Sequence, residues 1–438
     1  MSDADPPRTK VVIVGGGFAG VGCARALAGH DQVQVTLIDR NNFHQFQPLL
    51  YQVATAQLAR GDVAYPLRAL FRDAPNVSVK LAEVTQVDPA TRTVTTADGS
   101  SYGADVLVLA AGSAANFFSV PGAEEHTLPL YSLDDAERLR ERIIEVFEAV
   151  DREPGLIDEG ALTFVVVGAG ATGTEISGAL AEMITDTMTP EFPDVAVDAA
   201  QVVLVDHGQA VLGPFSEGAH EYAAKALDEA GVTLRLGTGV TEVGPGHVGL
   251  SDGATIRTRC VIWGGGIEAA PVAAHSGLPQ GRGSRLEVEP DLTIAAFPGI
   301  YALGDFANIP DPAGASLPQL GSVALQSGRW AAKNILADIA GRPRTPFDYK
   351  DKGIMAMIGR NAAVAEVGKR HHELHGTLAF AAWLGVHATL MTGVRNRVDA
   401  FIDWGSDYFG HRGHQTLDRS EAARIDWGDD TNPGDDHA

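Results

Sequence analysis

The sequence predicts an α/β protein made of two copies of one domain, each folded around a parallel sheet. Three observations support this class. A buried strand, a glycine-rich turn and a helix occur twice along the chain. In both copies the next strand ends in an acidic residue. Both copies then continue through a strand, a hairpin and a second buried strand, so the duplication extends over whole domains.

The first copy begins with a continuous apolar run, residues 11–14, which suits a strand buried on both faces. Glycines with G-x-G-x-x-G spacing follow it: Gly15, Gly17 and Gly20. They allow a tight turn, a close approach to a pyrophosphate and close packing of the helix on the strand. The helix, predicted from Val21 to Ala28, directs N–H groups at the phosphate. Asp39 ends the next strand, where a ribose hydroxyl needs an acceptor.

The second copy begins with the buried strand 162–167. The glycine spacing repeats at Gly168, Gly170 and Gly173. A helix from Thr174 to Met188 and a strand over 201–205 are predicted next, with Asp206 at the end of the strand. The interval before Asp206 is long, and a lengthened helix followed by a loop around Pro190–Pro193 accounts for it.

The duplication continues beyond these motifs. Residues 76–112 show a strand, a hairpin around Ala97-Asp98-Gly99, a buried strand and a turn of small residues, and residues 231–266 repeat this order. Two copies of one nucleotide-binding architecture imply two dinucleotide sites. A flavin and a nicotinamide that meet ring to ring suit electron transfer. The predicted fold is therefore two Rossmann-like dinucleotide-binding domains.

Composition limits the classes of partner. The chain has 438 residues and a net charge of −23, which argues against nucleic acid and against electrostatic binding to anionic lipid. The only two cysteines, Cys23 and Cys260, form no motif, which excludes a redox dithiol and a cysteine-ligated cluster; both are interpreted as core residues. No metal site is predicted. His44 is interpreted as a hydrogen-bonded loop residue. The N-terminus shows no signal peptide, so a cytoplasmic location is expected.

Further elements are expected to lie near the first site. Ser132 is predicted to cap a helix that reaches Val150. A strand over 292–303 ends at Gly304 and Asp305, where the carboxylate suits a ribityl hydroxyl. A long helix over 317–340 follows, and it carries Ser322 and Gln326 four residues apart on one face.

The C-terminal part changes character. Residues 347–369 are predicted to form strands and turns. Residues 378–394 are almost entirely apolar and are followed by a short basic cluster and Trp404, a composition typical of a helix lying in a membrane interface. The alternative is a helix that packs in the core or between two copies of the chain in a homodimer. The acidic tail 418–438 is expected to be disordered.

With these residues in place, the chain over residues 9–417 resembles the type II NADH:quinone oxidoreductases, single-chain flavoproteins of respiratory membranes. The resemblance rests on a set of specific segments: Asp39–Thr55, Leu107–Ser113, Phe118–Gly122, the second glycine motif continuing to Glu175, Tyr301–Asp305, Ala324–Gly328, and the region around Trp383, Arg395–Arg397 and Trp404.

The resemblance implies FAD in the first site and NADH in the second. The residues implied for FAD are Gly15, Gly17, Phe18, Ala19, Gly20, Asp39, Arg40, Val84, Ala111, Gly112, Gly304, Asp305 and Lys352. Those implied for NADH are Gly168, Gly170, Gly173, Asp206 and Gly265. Glu175 occupies the place of a family glutamate that couples substrate binding to electron transfer. At the quinone pocket, Ser322 replaces the first of two family glutamines and Gln326 is the second, which puts the quinone contact in question.

The expected domains are an FAD domain (8–120 and 270–340), an NADH domain (121–269), a membrane-associated and quinone-side region (341–417) and the tail. The expected activity is oxidation of NADH and transfer of two electrons through FAD to menaquinone or ubiquinone. It would take place at the cytoplasmic face of the membrane, with residues 377–404 at the interface, and without proton pumping. The alternatives are a soluble NADH-dependent ferredoxin or rubredoxin reductase of the same fold and a non-catalytic flavin-bearing redox sensor. A sulfide:quinone oxidoreductase would need redox cysteines that the chain lacks.

Overall fold

The structure, a computed structural model, describes residues 8–368 and 371–409. The described residues form two compact units. Unit 1 contains 8–45, 64–114 and 267–352, and unit 2 contains 46–63, 115–266 and the described part of 353–409. The expected tail, 418–438, lies outside the described residues. The chain therefore passes between the units five times.

Unit 1 is organised around a six-stranded sheet. In spatial order the strands are Thr293–Ile294, Phe297–Ala302, Val106–Leu109, Thr9–Val14, Val33–Asp39 and Val77–Leu81. All neighbours are parallel except the first two. Residues 11–14 are buried, as their apolar run predicted, and the helices Phe18–Leu27 and Gly321–Ile339 pack against each other. The predicted strand–turn–helix motif is confirmed.

Short elements complete unit 1. The predicted hairpin around Ala97-Asp98-Gly99 is present in a small antiparallel sheet formed by Val84–Asp88, Thr93–Thr96 and Ser101–Gly103. The remaining strands are Phe43–Gln45, Ala64–Pro66, Ile267–Ala269, Leu286–Glu287 and Ala307–Asn308, with Ser113–Ala115 at the unit boundary. The short helical segments are Leu67–Leu70, Pro271–Ala273, Arg282–Ser284 and Gly304–Phe306.

Two predicted boundaries in unit 1 were wrong. The helix expected over 317–340 begins only at Gly321, because Pro318 lies in an extended stretch in which Leu317 donates its N–H to Ile309 O. The strand expected over 292–303 is instead a tight antiparallel pair, Thr293–Ile294 and Phe297–Ala302. A continuous apolar pattern does not distinguish a long strand from a hairpin of two short ones.

Unit 2 repeats the plan with a five-stranded parallel sheet. Its strands, in spatial order, are Leu128–Pro129, Cys260–Trp263, Thr163–Val167, Gln201–Asp206 and Val232–Leu236. A three-stranded antiparallel sheet follows, as in unit 1: Val240–Gly244, His247–Leu250 and Thr255–Arg257. A second antiparallel sheet comes from the C-terminal part of the chain: Gly353–Gly359, Ala362–Val367 and His372–His375. The predicted duplication is therefore confirmed.

The α-helices of unit 2 are Leu50–Ala54, Arg60–Val63, Ala123–His126, Leu133–Arg152, Ala171–Met183, Thr189–Glu191, Glu217–Glu229, Thr377–Leu390 and Val394–Phe409. Ser132 caps its helix as predicted, in a capping box with Asp135. The helix expected over 174–188 begins earlier, at Ala171, and after Met183 it widens into a π-helical turn, Ile184–Met188.

The apolar C-terminal stretch forms two helices rather than one run. Thr377–Leu390 ends at Met391, and Val394–Phe409 begins after a short turn. Within the described residues, no helix combines the length and the apolar character needed to span a bilayer.

One close contact attaches the second antiparallel sheet to the helix Ala171–Met183. A Cβ atom on Gly178 would lie 1.6 Å from the carbonyl oxygen of Ile358, so the two backbones touch at this point. Only glycine permits such an approach. Gly385, on the exposed face of the helix Thr377–Leu390, has no atom within 4 Å of the corresponding position.

Gly178→Ala is expected to destabilise the protein by about 1–3 kcal/mol, because the added methyl group must push the strand off the helix. The matched change Gly385→Ala is expected to be neutral or stabilising by up to about 1 kcal/mol, since alanine favours a helix and meets nothing there. Urea unfolding followed by circular dichroism measures both. Equal effects of the two changes would contradict the contact.

Candidate functional site

The first glycine turn of unit 1 forms a narrow cradle. A Cβ atom on Gly15 would lie 2.1 Å from Ala110 O, and one on Gly20 would lie 1.8 Å from Gly15 O. A Cβ atom on Gly17 would have no atom within 4 Å. Gly17 also precedes the helix Phe18–Leu27 without any side-chain cap, which leaves the helical N–H groups available to a ligand. The turn is tight where it meets the sheet and open where a phosphate would approach.

Asp39 and His44 brace this cradle. The carboxylate of Asp39 accepts N–H bonds from Gly16 and Asn41, both at 2.6 Å. Burial raises the pKa of Asp39, while these two backbone bonds act in the opposite direction. The Nδ1–H of His44 donates to Gly16 O at 2.9 Å, so the interpretation of His44 as a hydrogen-bonded residue is confirmed, but His44 lies in the strand Phe43–Gln45 rather than in a loop. Asp39 keeps acceptor capacity for a ribose hydroxyl.

Asp305 lies in the turn after the strand Phe297–Ala302. Its carboxylate accepts a long bond, 3.5 Å, from the Ser113 hydroxyl, and Gln319 donates to its backbone oxygen at 3.2 Å. Burial raises the pKa of Asp305 to about 6, opposed by the positive charge of Arg285. The neighbouring Gly304 lies against Ala19 of the first helix: a Cβ on Gly304 would be 3.1 Å from the Ala19 Cβ. The structure thus brings Asp305 to the helix of the first glycine motif, as predicted.

Other residues implied for FAD lie at differing places in unit 1. Ala111 and Gly112 follow the strand Val106–Leu109, and the Ala111 Cα would lie 3.1 Å from a Cβ on Gly15. Phe18 lies edge-on to His44, with ring centroids 5.2 Å apart. The others are placed as follows: Arg40 after Asp39, Val84 at the start of the strand Val84–Asp88, and Lys352 on the surface at the end of the unit.

Ser322 and Gln326 share a face of the helix Gly321–Ile339, but their polar groups are engaged. The Ser322 and Tyr349 hydroxyls are 2.9 Å apart. The Gln326 side chain donates to Lys350 O and accepts from Lys350 N–H, each at 3.0 Å. Both residues thus attach the segment 349–350 to the helix in the described structure.

Unit 2 contains a second cradle with the same geometry. A Cβ on Gly168 would lie 2.5 Å from Gly264 O and 2.6 Å from Gly265 Cα, and one on Gly173 would lie 1.7 Å from Gly168 O. Gly170 has open space and precedes an uncapped helix. Asp206 accepts N–H bonds from Ala169 and Gly208, both at 2.6 Å. All five residues predicted for this site lie together.

Both cradles fit a dinucleotide. Each combines an uncapped helix N-terminus, open space at the middle glycine and an acidic residue at the end of the second strand. These features provide N–H donors and a positive dipole end for a pyrophosphate and an acceptor for a ribose.

Unit 2 also contains a cavity of about 290 Å³ that the sequence analysis did not predict. Three distant parts of the chain line it: the segment 46–63, the helix Ala171–Met183 and residues from 357 onward. The lining residues are Tyr51, Gln52, Gln57, Glu175, Ala179, Glu182, Met357, Ile358, Gly359, Arg360, Phe380, Leu384, Phe401, Trp404 and Gly405. Apolar residues are in the majority, and polar groups come from Tyr51, Gln52, Gln57, Glu175, Glu182 and Arg360; a mainly apolar wall with some polar groups is typical of sites for small organic ligands.

Glu175 is an acid in the wall of this cavity, and it is only partly exposed. Burial raises the pKa of Glu175 to about 8, and bonds to its carboxylate oppose the shift only partly. The Met357 N–H approaches Oε1 at 3.3 Å. The Trp383 indole N–H also lowers this pKa, although it has no well-formed hydrogen-bond partner among the described residues. At pH 7 the carboxyl is therefore mainly neutral and carries a proton.

The sequence indicated less about the function of the remaining cavity residues. Tyr51 and Gln52 belong to the segment Asp39–Thr55, and Trp404 to the C-terminal cluster, both of which carry the family resemblance, but no role followed from the sequence. Gln52 and Trp404 are 352 positions apart and yet are hydrogen-bonded. Cys23 and Cys260 are buried, and burial raises the pKa of each thiol to about 12, so both are core residues as predicted. Among the described residues, no cluster of possible metal ligands is found.

Comparisons with known proteins agree on a family. The model of a family described as pyridine nucleotide-disulphide oxidoreductase matches residues 9–328. The type II NADH:quinone oxidoreductase Ndh of Mycobacterium tuberculosis is 35% identical over 436 residues, covering 96% of this chain and 92% of that protein. The type II NADH:quinone oxidoreductase of Staphylococcus aureus is 28% identical over 371 residues, covering 82% and 90%.

Solved structures share the fold. NDH2 from Plasmodium falciparum, in complex with NADH, aligns with a TM-score of 0.85 at 18% identity and covers 94% of this chain and 100% of that chain. The sulfide:quinone oxidoreductase of Aquifex aeolicus aligns with a TM-score of 0.70 at 19% identity, covering 92% and 96%.

The raised pKa of Glu175 predicts a pH-dependent stability. The pKa is about 8 in the folded chain against an ordinary value of 4.5, so between these values the folded state holds a proton that the unfolded state has released. The contribution of Glu175 is complete below the lower value and is lost as the pH rises through the upper one. The free energy of unfolding, relative to Glu175→Gln, is expected to fall by about 1 kcal/mol per pH unit between pH 5 and pH 8. Urea titrations at each pH measure it, and a constant difference would contradict the shift.

Proposed function

The chain belongs to the pyridine nucleotide-disulphide oxidoreductase family and, within it, to the type II NADH:quinone oxidoreductases, and from this membership we propose that it oxidises NADH and reduces a quinone. FAD binds in the cradle of unit 1 and NADH in that of unit 2. When bound, FAD accepts a hydride and passes on two electrons. The reaction proceeds without proton pumping.

The observation that carries this proposal is the pair of matching cradles. Each has open space at its middle glycine, Gly17 and Gly170, and an uncapped helix behind it. At the second cradle Asp206 supports NADH over NADPH, because its carboxylate attracts a ribose hydroxyl and repels a 2′-phosphate.

The quinone ring occupies the cavity of unit 2. Phe380, Leu384 and Phe401 provide apolar wall, which excludes water and suits an uncharged ring. Because Glu175 Oε1 faces the Met357 N–H, the proton of the neutral carboxyl is placed on Oε2, from which it can be donated to a ring oxygen. Glu175 is thus the proposed acid of the site.

Ser322 and Gln326 of unit 1 do not line this cavity, and a quinone contact by them remains a separate proposal. Direct contact requires that their bonds to Tyr349 and Lys350 open. With those bonds closed, the two residues act by holding the segment that ends in Lys352, which is proposed to contact FAD.

The two C-terminal helices support attachment to the cytoplasmic face of a membrane. Seven of their large apolar side chains are exposed: Leu378, Val386, Leu390, Val394, Val398, Phe401 and Ile402. Arg395 and Arg397 lie beside them and suit lipid phosphates, despite the acidic balance of the whole chain. We propose that this apolar surface, which lies within residues 377–404, is inserted in the membrane interface, where the quinone is dissolved. A homodimer that covers the same surface is the alternative.

Stopped-flow absorbance tests the reaction in two halves. NADH is expected to bleach the flavin at least about tenfold faster than NADPH, because of Asp206. A menaquinone or ubiquinone analogue is then expected to restore the absorbance faster than oxygen does. If neither quinone reoxidises the flavin faster than oxygen does, the quinone assignment is refuted. A preparation without flavin would refute the FAD site.

Sedimentation with phosphatidylcholine vesicles tests membrane attachment. The triple change of Leu378, Val394 and Ile402 to Gln removes side chains that are 73%, 76% and 62% exposed. The bound fraction is expected to fall about tenfold or more, since each apolar side chain contributes to burial in the interface. Leu81→Gln, at a 55% exposed leucine of unit 1, is the matched control and should bind like the native protein. Equal binding of all three proteins would rule out this surface.

A further inference from the structure

A hydrogen-bonded chain of three side chains runs along the cavity of unit 2. The Trp404 Nε1–H donates to Gln52 Oε1 at 2.9 Å, and the Gln52 Nε2–H donates to the Tyr51 hydroxyl oxygen at 3.1 Å. All three side chains are buried, and all three line the cavity. The chain therefore joins the C-terminal helix Val394–Phe409 to the short helix Leu50–Ala54.

The donors in this chain determine where its hydrogens point. An indole N–H can only donate, so the oxygen of the Gln52 amide must face Trp404. The amide nitrogen must then face Tyr51, whose oxygen accepts. The hydroxyl hydrogen of Tyr51 is consequently directed away from Gln52. Within residues 8–368 and 371–409, no group accepts that hydrogen.

The Tyr51 hydroxyl also stays protonated. Burial raises its pKa well above the ordinary value of 10, and the nearby carboxyl groups of Glu175 and Glu182 add to the shift. A phenol in this state is a permanent hydrogen-bond donor at working pH. A buried donor without an acceptor costs free energy, so the bare cavity favours a ligand that offers an oxygen.

We infer that Tyr51 donates a hydrogen bond to a carbonyl oxygen of the ring in the cavity, and that Gln52 and Trp404 are positioning residues that fix the direction of this bond. The inference rests on the proposed function and assigns the contact that orients the quinone. Trp404 also lies edge-on to Phe401, at 5.6 Å between ring centroids, and Phe401 is one of the exposed apolar residues of the C-terminal helices. The orientation of the Tyr51 hydroxyl therefore depends on the position of the helix Val394–Phe409.

Two conservative variants test the inference in the FAD-loaded enzyme with a water-soluble ubiquinone analogue. Tyr51→Phe removes only the hydroxyl and is expected to raise the KM for the quinone about five- to tenfold. Trp404→Phe keeps an aromatic ring but removes the N–H, so the Gln52 amide can turn over. It is expected to raise the same KM about two- to fivefold. The rate of flavin reduction by NADH should stay within a factor of two of the native rate in both.

The double variant Tyr51→Phe/Trp404→Phe tests whether Trp404 acts through Tyr51 or only by packing in the cavity wall. If Trp404 acts only through Tyr51, then Trp404→Phe should add no more than a factor of two to the KM of Tyr51→Phe. Trp330→Phe is the matched control, because it removes an indole N–H that donates to Thr345 O in unit 1, and its KM should be unchanged. Multiplicative effects in the double variant would overturn the positioning role.

Failure of this inference can be distinguished from failure of the proposed function. A native enzyme that reduces the quinone, together with a Tyr51→Phe variant of unchanged KM, would overturn the inference alone. A native enzyme whose flavin is reduced by NADH but not reoxidised by quinone would overturn both. Retained flavin absorbance and an unchanged melting temperature confirm that each variant is folded, and Trp404→Phe supplies a second measurement if Tyr51→Phe is unstable.

Discussion

The close approach of backbones around the helix Ala171–Met183 is the constraint on which unit 2 depends. At its first turn, the position of a Cβ on Gly173 is only 1.7 Å from Gly168 O, which locks the helix onto the central sheet. Further along, at Gly178, the same helix meets the backbone of the strand Gly353–Gly359. A side chain larger than hydrogen at either point would separate the layers. The helix is consequently held on two sides, by the nucleotide-binding sheet and by the C-terminal sheet.

This placement makes one helix contribute to both proposed sites, the nucleotide cradle and the cavity. Its N-terminus, at Gly170, is where a nucleotide phosphate is proposed to bind, and Glu175 follows little more than one turn later, at about 1.5 Å of rise per residue. The strand Gly353–Gly359 lies against Glu175, because the Met357 N–H of that strand donates to its carboxylate. The strand that touches the helix at Gly178 therefore also donates to Glu175, and this bond lowers the pKa of Glu175 against the larger, opposite effect of burial.

The local parts of this architecture could be predicted from the sequence, and the cavity could not. Strand, glycine turn, helix and terminal acid occur within about 30 residues, where spacing dictates geometry, so both cradles were found. The cavity brings Tyr51, Glu175 and Trp404 together from three distant segments, and no spacing rule connects them. The predicted helix boundaries were wrong where tertiary contacts determine them, as at the extended stretch around Pro318. For Gln326, the sequence predicted correctly that its side chain shares a helix face with Ser322. It did not predict that the backbone of Lys350 forms hydrogen bonds with the Gln326 amide.

Charge is distributed in unit 2 in a way that separates two kinds of ligand. The cradle offers unpaired N–H groups to an anion, whereas the proposed donors of the cavity, Glu175 and Tyr51, are both neutral at pH 7. Arg360 brings a cation to the cavity wall, but its guanidinium lies 3.5 Å from the Asp186 carboxylate, and its backbone N–H donates to Glu182. A charged ligand would lose its hydration there and gain no free counter-charge, which costs several kcal/mol. An uncharged ring with carbonyl oxygens avoids that cost and satisfies the buried donors, so the burial that holds a proton on Glu175 also selects the class of ligand that can accept it.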